Sequence, residues 1–191
     1  MKPVNFLIAT ATVALAEVGD KTQLLSLILA ARYRKPWPIC FGILLATIVN
    51  HALAGAVGEL LSRWLTPEIL HWAVVASLLA MAVWILIPDR MEEDDTEAQP
   101  RHGVMVATII AFFLAEMGDK TQIATVVLAA QYHPLWQVVA GTTAGMLLAN
   151  VPVVWLGSRF AGRLPLRATR VAAALLFVGL AIWTLASGAR L

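Results

Sequence analysis

The tightest constraint on this chain is a string of charges standing inside apolar runs long enough to cross a bilayer. Glu17-Val18-Gly19-Asp20-Lys21-Thr22-Gln23 lies within the run 4–31, and Glu116-Met117-Gly118-Asp119-Lys120-Thr121-Gln122 lies within the run 104–130. The two strings are 99 residues apart, and over positions 15–37 and 114–136 that shift leaves thirteen of twenty-three residues identical without a gap. Gly42/Gly141, Gly58/Gly157 and Trp84/Trp183 continue the echo. Shared alanine and leucine content explains scattered matches, but not an identical polar string, so the chain reads as an internal duplication.

Six apolar runs reach the roughly 18 residues that a membrane span requires: 4–31, 39–61, 70–88, 104–130, 136–160 and 169–187. Only 14% of the 191 residues are charged, against about 25% in soluble domains, which excludes a water-exposed globule. The net charge of +2 gives no basic footprint for nucleic acid, and the lone Cys40 excludes both a disulfide framework and a multi-thiolate metal site. The expected fold is therefore all-α: a polytopic membrane protein of six transmembrane helices in two three-helix repeats, residues 1–88 and 103–191. The stretch 89–102 between them holds six of the twelve acids and reads as a solvated linker. All seven tryptophans fall near run ends, where an aromatic belt belongs.

Lys2 with the run 4–16 has the look of a secretory signal, but Leu15-Ala16-Glu17 recurs as Leu114-Ala115-Glu116, so the first segment is expected to be retained. With the N-terminus outside, nine Lys/Arg lie on the inner side and three (Lys2, Arg63, Arg190) on the outer. The excess places both termini outside and the linker in the cytoplasm.

Charges at membrane depth cost several kcal/mol each unless paired or facing a wet cavity, and this sequence carries them twice. A continuous helix over 4–31 would span about 42 Å at 1.5 Å per residue, against ~30 Å of hydrocarbon, so a tilt or a break at Gly19 is expected. On a helix Glu17 and Asp20 share one face, with Lys21 four residues after Glu17. An internal Glu17–Lys21 ion pair is one reading, though it leaves Asp20, Thr22 and Gln23 without a role. Three segments per half invert the second half in the membrane, the pattern of an alternating-access carrier. Glu17, Asp20, Glu116 and Asp119 with Lys21 and Lys120 total −2 when ionised, which one divalent cation or two protons would balance. Oxygen donors of this kind suit Mg²⁺, Ca²⁺ or Mn²⁺.

Thr22, Gln23, Thr121 and Gln122 are open to two readings, extra oxygen ligands or helix–helix glue. Asn50 and His51 lie midway along their run, and the 99-residue shift sets Asn150 opposite His51. These three line a cation route, with His51 carrying a proton, or are ordinary buried polar groups. Gly19 and Gly118 permit close approach of helices or local unwinding.

The doubled Glu-x-Gly-Asp-Lys-Thr motif, one copy per half, resembles that of the cation/proton exchangers once catalogued as uncharacterised protein family 0016, which includes bacterial manganese exporters and Golgi manganese/calcium exchangers. Both copies are intact, and the resemblance covers the whole chain. It implies export of Mn²⁺, or Ca²⁺, from the cytoplasm in exchange for protons, with Glu17, Asp20, Glu116 and Asp119 as cation or proton carriers and no cofactor beyond the transported ion. Lys21, Lys120, Thr22 and Thr121 follow as motif residues, and a short bacterial form implies an inner-membrane location. Two alternatives stand beside it. A lysine-exporter-like carrier could hold a cationic amino acid on the same acids, although paired acids suit a small spherical ion better. An intramembrane aspartyl protease would need a Gly-x-Gly-Asp signature, and Glu17 and Glu116 stand where its first glycine belongs.

Overall fold

A computed structural model describes residues 3–86, 103–156 and 166–187. The linker 89–102 and Lys2, Arg90, Arg101, Arg159, Arg163 and Arg190 of the orientation count lie outside the described residues, as does Gly157. The described chain forms eight helices and no strand: α1 (Pro3–Glu17), α2 (Lys21–Tyr33), α3 (Pro36–Trp64), α4 (Pro67–Trp84), α5 (Val104–Glu116), α6 (Lys120–Gln131), α7 (Leu135–Leu156) and α8 (Leu166–Ser187). By length and apolarity α3, α4 and α7 suffice to cross a membrane. The runs 4–31 and 104–130 are each two helices, α1–α2 and α5–α6, separated at the charged motif. Of the tilt or break expected for the first run, the structure has the break at Gly19, and the second copy breaks likewise at Gly118.

Helix boundaries follow local chemistry. Pro36 and Pro67 occupy first-turn positions, where the missing N–H costs nothing. The Thr66 side chain caps α4 by accepting from the Ile69 amide at 3.4 Å. α2 ends at Arg34, which takes a left-handed conformation (φ 50°) and donates its amide to the Ala30 carbonyl.

The two halves interleave. α1 packs along α7, and its counterpart α5 packs along α3, so the first helix of each half lies against the long helix of the other. Glycine makes both contacts possible. A Cβ on Gly141 of α7 would stand 2.6 Å from the Phe6 carbonyl oxygen, and one on Gly42 of α3 would stand 2.6 Å from the Thr108 Cβ. This pair, visible in the sequence as a repeat echo, therefore marks equivalent close crossings.

Burial divides into two main layers. One apolar cluster joins α2, α3, α5 and α7 around Ile39, Ile43, Phe112 and Met146, with Val13 of α1 at its edge. The other is built by α4 and α8 against α1 and α6, around Leu78, Met81, Val127 and Phe177. The charged motifs lie where α1 meets α2 and α5 meets α6.

Candidate cation site

Each motif residue has a defined place in the break. The Glu17 carbonyl accepts the Asp20 amide at 3.0 Å, and the Glu116 carbonyl accepts the Asp119 amide at 3.1 Å. These are four-residue turns with glycine third, at φ +81° for Gly19 and +74° for Gly118. Met117, second in its turn, has φ −63° and ψ 120°. Such angles define a type II turn, whose third position requires φ > 0 and therefore favours glycine. The motif thus reads as a helix-ending Glu, a two-residue corner, and an Asp at the N-cap of the next helix.

The remaining residues close the turn on itself. Gln23 Oε1 accepts from the Gly19 amide at 2.9 Å, and Gln122 Oε1 from the Gly118 amide at 2.7 Å. Thr22 Oγ1 donates to Glu17 Oε2, and Thr121 Oγ1 donates to Glu116 Oε2 at 3.2 Å. Both residue types therefore act inside their own copy, orienting the acid and bracing the corner. Gln23 also reaches another helix, donating from Nε2 to the Ala149 carbonyl at 3.1 Å.

The aspartates behave unlike ordinary N-caps. Neither Asp20 nor Asp119 makes the usual side-chain capping hydrogen bond into its helix, yet each sits at the positive end of a helix dipole. Each carboxylate turns instead to the lysine of the other copy. Lys120 Nζ lies 2.6 Å from Asp20 Oδ1, with both side chains almost fully buried, and Lys21 Nζ lies 3.8 Å from Asp119 Oδ1. The ion pairs cross between the repeats. This replaces the Glu17–Lys21 pairing considered from the sequence, because the helix ends at Glu17 and the four-residue spacing no longer defines a face.

Glu17, Asp20 and Asp119 each offer an oxygen within 4.8 Å of the others, and all three are buried. Oxygens around one divalent ion at 2.0–2.6 Å stand at most about 4–5 Å apart, so the three can share a single ion. Glu17 Oε1, Glu116 Oε1 and Asp119 Oδ2 are buried without a hydrogen-bond partner. Carboxylate oxygens left so cost several kcal/mol, and a cation removes that cost.

Glu116 lies near Glu17 and within its electrostatic reach, but it is not one of the converging three. Its Oε2 accepts from Thr121 and stands 3.7 Å from His51 Nε2, with His51 and Glu116 both fully buried. Asn50 Nδ2 donates to the Phe113 carbonyl at 3.2 Å, three residues before Glu116. Asn150 is opposite in character. Its Oδ1 accepts from Ser26 at 2.7 Å and its Nδ2 donates to the Met146 carbonyl at 3.1 Å. Of the three residues proposed to line a route, His51 alone touches a motif acid among the contacts described. Ser26 escaped notice in the sequence, although the 99-residue shift aligns it with another hydroxyl, Thr125.

Buried acids on two paired, interrupted helices are the arrangement expected of a secondary carrier for a small cation. Comparison with known proteins makes the class specific. A family model described as divalent cation/proton antiporter GDT1 matches residues 5–93 and 104–190, and the chain belongs to that family. It is 56% identical over 178 residues to a Vibrio cholerae protein named "Putative manganese exporter", covering 93% of this chain and 88% of the relative. It is 30% identical over 195 residues to a GDT1-like protein of Synechocystis, covering 90% and 93% respectively. A GDT1-like protein of Arabidopsis thaliana is 25% identical over 196 residues. No solved structure matches the chain. Membership of an antiporter family sets aside the protease alternative: the protein is a membrane transporter, with a divalent cation and protons as its substrates.

Proposed function

We propose that the chain exports Mn²⁺ from the bacterial cytoplasm across the inner membrane in exchange for protons, by alternating access between two inverted three-helix repeats. One observation carries this reading: three buried carboxylates, drawn from both copies of the motif, converge to within the span of a single ion. An all-oxygen donor set suits Mn²⁺ as well as Ca²⁺ or Mg²⁺, and the name of the 56% identical relative favours manganese. In this reading Glu17, Asp20 and Asp119 hold the cation. Glu116, braced by Thr121 and facing His51, is the fourth acid and takes the proton.

The same reading gives six passes, with α1–α2 and α5–α6 each crossing as one interrupted helix. Both termini lie outside and the linker 89–102 is cytoplasmic. One contact supports the inversion of the halves. Asn5, at the start of α1, donates to the His133 carbonyl after α6, at 2.8 Å. In this reading the first helices of the two halves enter from opposite sides.

The test is flux into proteoliposomes under an imposed pH gradient, comparing Mn²⁺, Ca²⁺, Mg²⁺ and lysine. Proton-driven Mn²⁺ movement is expected, with loss in Glu17→Gln and Asp119→Asn. Unchanged Mn²⁺ flux in the variant with all four acids neutralised would sink the site, and lysine uptake in place of Mn²⁺ would favour the amino-acid carrier. Transport that persists uphill without a pH gradient would require a different driving ion.

A further inference from the structure

The crossed ion pairs put a fixed positive charge on each aspartate of the cation site. Lys120 Nζ stands 2.6 Å from Asp20 Oδ1, a separation that overlaps the 2.3–2.6 Å at which a hard cation such as Ca²⁺ sits from its oxygens. Ammonium and cation therefore compete for one position beside that oxygen. We infer that Lys21 and Lys120 are built-in rivals of the transported ion, each holding an aspartate that the cation must take, so that cargo enters by displacing a lysine of the opposite repeat. This rests on the cation site proposed above and adds to it what fills the site when cargo leaves.

Two independent observations support the exchange. First, pairs that the repeat makes equivalent are unequal. Lys120 and Asp20 are closely paired, with 3% and 1% of their side chains exposed, whereas Lys21 is 24% exposed and its pair with Asp119 is longer. One lysine is engaged while the other is already loosened. Second, the helices that the two lysines open are packed differently. α6 lies in the core that α4 and α8 share, and among the described residues that core takes nothing from α2. Lys21 opens α2, which packs instead with α3, α5 and α7. Entry therefore runs past Lys21 in this state, with the Lys120–Asp20 pair shutting the other side. In the opposite state the two pairs exchange roles, and an empty carrier satisfies its aspartates with its own ammonium groups.

A lysine that only stabilises the fold and a lysine that competes with cargo differ in sign at the binding step. We expect Lys21→Gln and Lys120→Gln, in the full-length protein in detergent, to bind Mn²⁺ about tenfold more tightly by titration calorimetry. That corresponds to about 1.4 kcal/mol. Net proton-driven Mn²⁺ transport by the same variants in proteoliposomes should fall at least tenfold, because the emptied carrier lacks its substitute charge. Lys21→Arg and Lys120→Arg keep the ammonium's charge and should bind Mn²⁺ within a fewfold of the parent. Unchanged or weaker binding in the Gln variants overturns the rival role. Should Lys120→Gln not fold, Lys21→Gln carries the same comparison. An Asp20→Asn control separates the failures: if it still binds Mn²⁺ like the parent, the cation site itself falls. If it loses binding while neither Gln variant gains affinity, the site stands and only the rivalry is refuted.

Discussion

Gly118 isolates one element of this architecture, the corner that sets Asp119 among the converging acids. A Cβ built there meets nothing within 4 Å, so Gly118→Ala adds no clash, while the backbone sits at φ +74°. The whole effect of the substitution is conformational. Holding an L-residue in that region costs about 1–2 kcal/mol, and in a chain of this size each kcal/mol lowers the melting temperature by about 2–4 °C. Gly118→Ala should therefore melt roughly 2–8 °C below the parent in detergent. Gly118→Asn should recover part of that loss, because asparagine tolerates the third position of a type II turn, although its side chain is larger. Transport should fall further than stability, since relaxation of the turn moves Asp119, the next residue, off the converging acids. Differential scanning fluorimetry with and without Mn²⁺, paired with flux, measures both. An alanine variant as stable as the parent, or an asparagine variant clearly worse than alanine, would refute the turn and with it the placement of Asp119.

His51→Asn installs the residue that the second repeat carries at the equivalent position, Asn150. It should leave Mn²⁺ binding by calorimetry within about threefold of the parent while proton-driven uptake drops at least tenfold; equal loss of both would return His51 to a purely structural role. Gly141→Ala has a helical backbone but forces a methyl toward the Phe6 carbonyl, which 2.6 Å does not accommodate. Overpacking of this kind costs about 1–3 kcal/mol, so the variant should melt several degrees lower, and a neutral result would mean that α1 and α7 cross more loosely than described.

Much of this site could be read in the sequence because two signals reinforced each other. Hydropathy placed the runs, and an identical polar string 99 residues apart picked out the residues inside them that composition alone could not explain. All four acids of that string are buried in the structure, and three of them converge. What the sequence concealed was the pairing. Spacing along one helix joins Glu17 to Lys21, but a glycine third in a four-residue turn ends the helix, and the counter-charge then comes from the opposite copy. Glu-x-Gly-Asp was legible as a turn followed by an N-cap, since glycine supplies the positive φ and aspartate the cap; treating the run as one long helix hid it. The glutamine and threonine roles were hidden for the same reason, being contacts across a corner rather than along a face. The approach of His51 of α3 to Glu116 could not be foreseen, because in the other half the equivalent Asn150 bonds to Ser26 and Met146 instead.

The interleaving of the halves also constrains how the protein is made. Asp20 finds its ammonium on Lys120, one hundred residues later in the chain. At about 5–20 residues per second, synthesis reaches Lys120 only ~5–20 s after Asp20. During that interval the first motif lies in the membrane before α7, which α1 needs for its packing, has been made. A chain stopped at the linker would leave Glu17 and Asp20 in the bilayer with no second repeat to receive them. The packing of α1 and the counter-charge of Asp20 are therefore completed only when α6 and α7 have been made, late in synthesis.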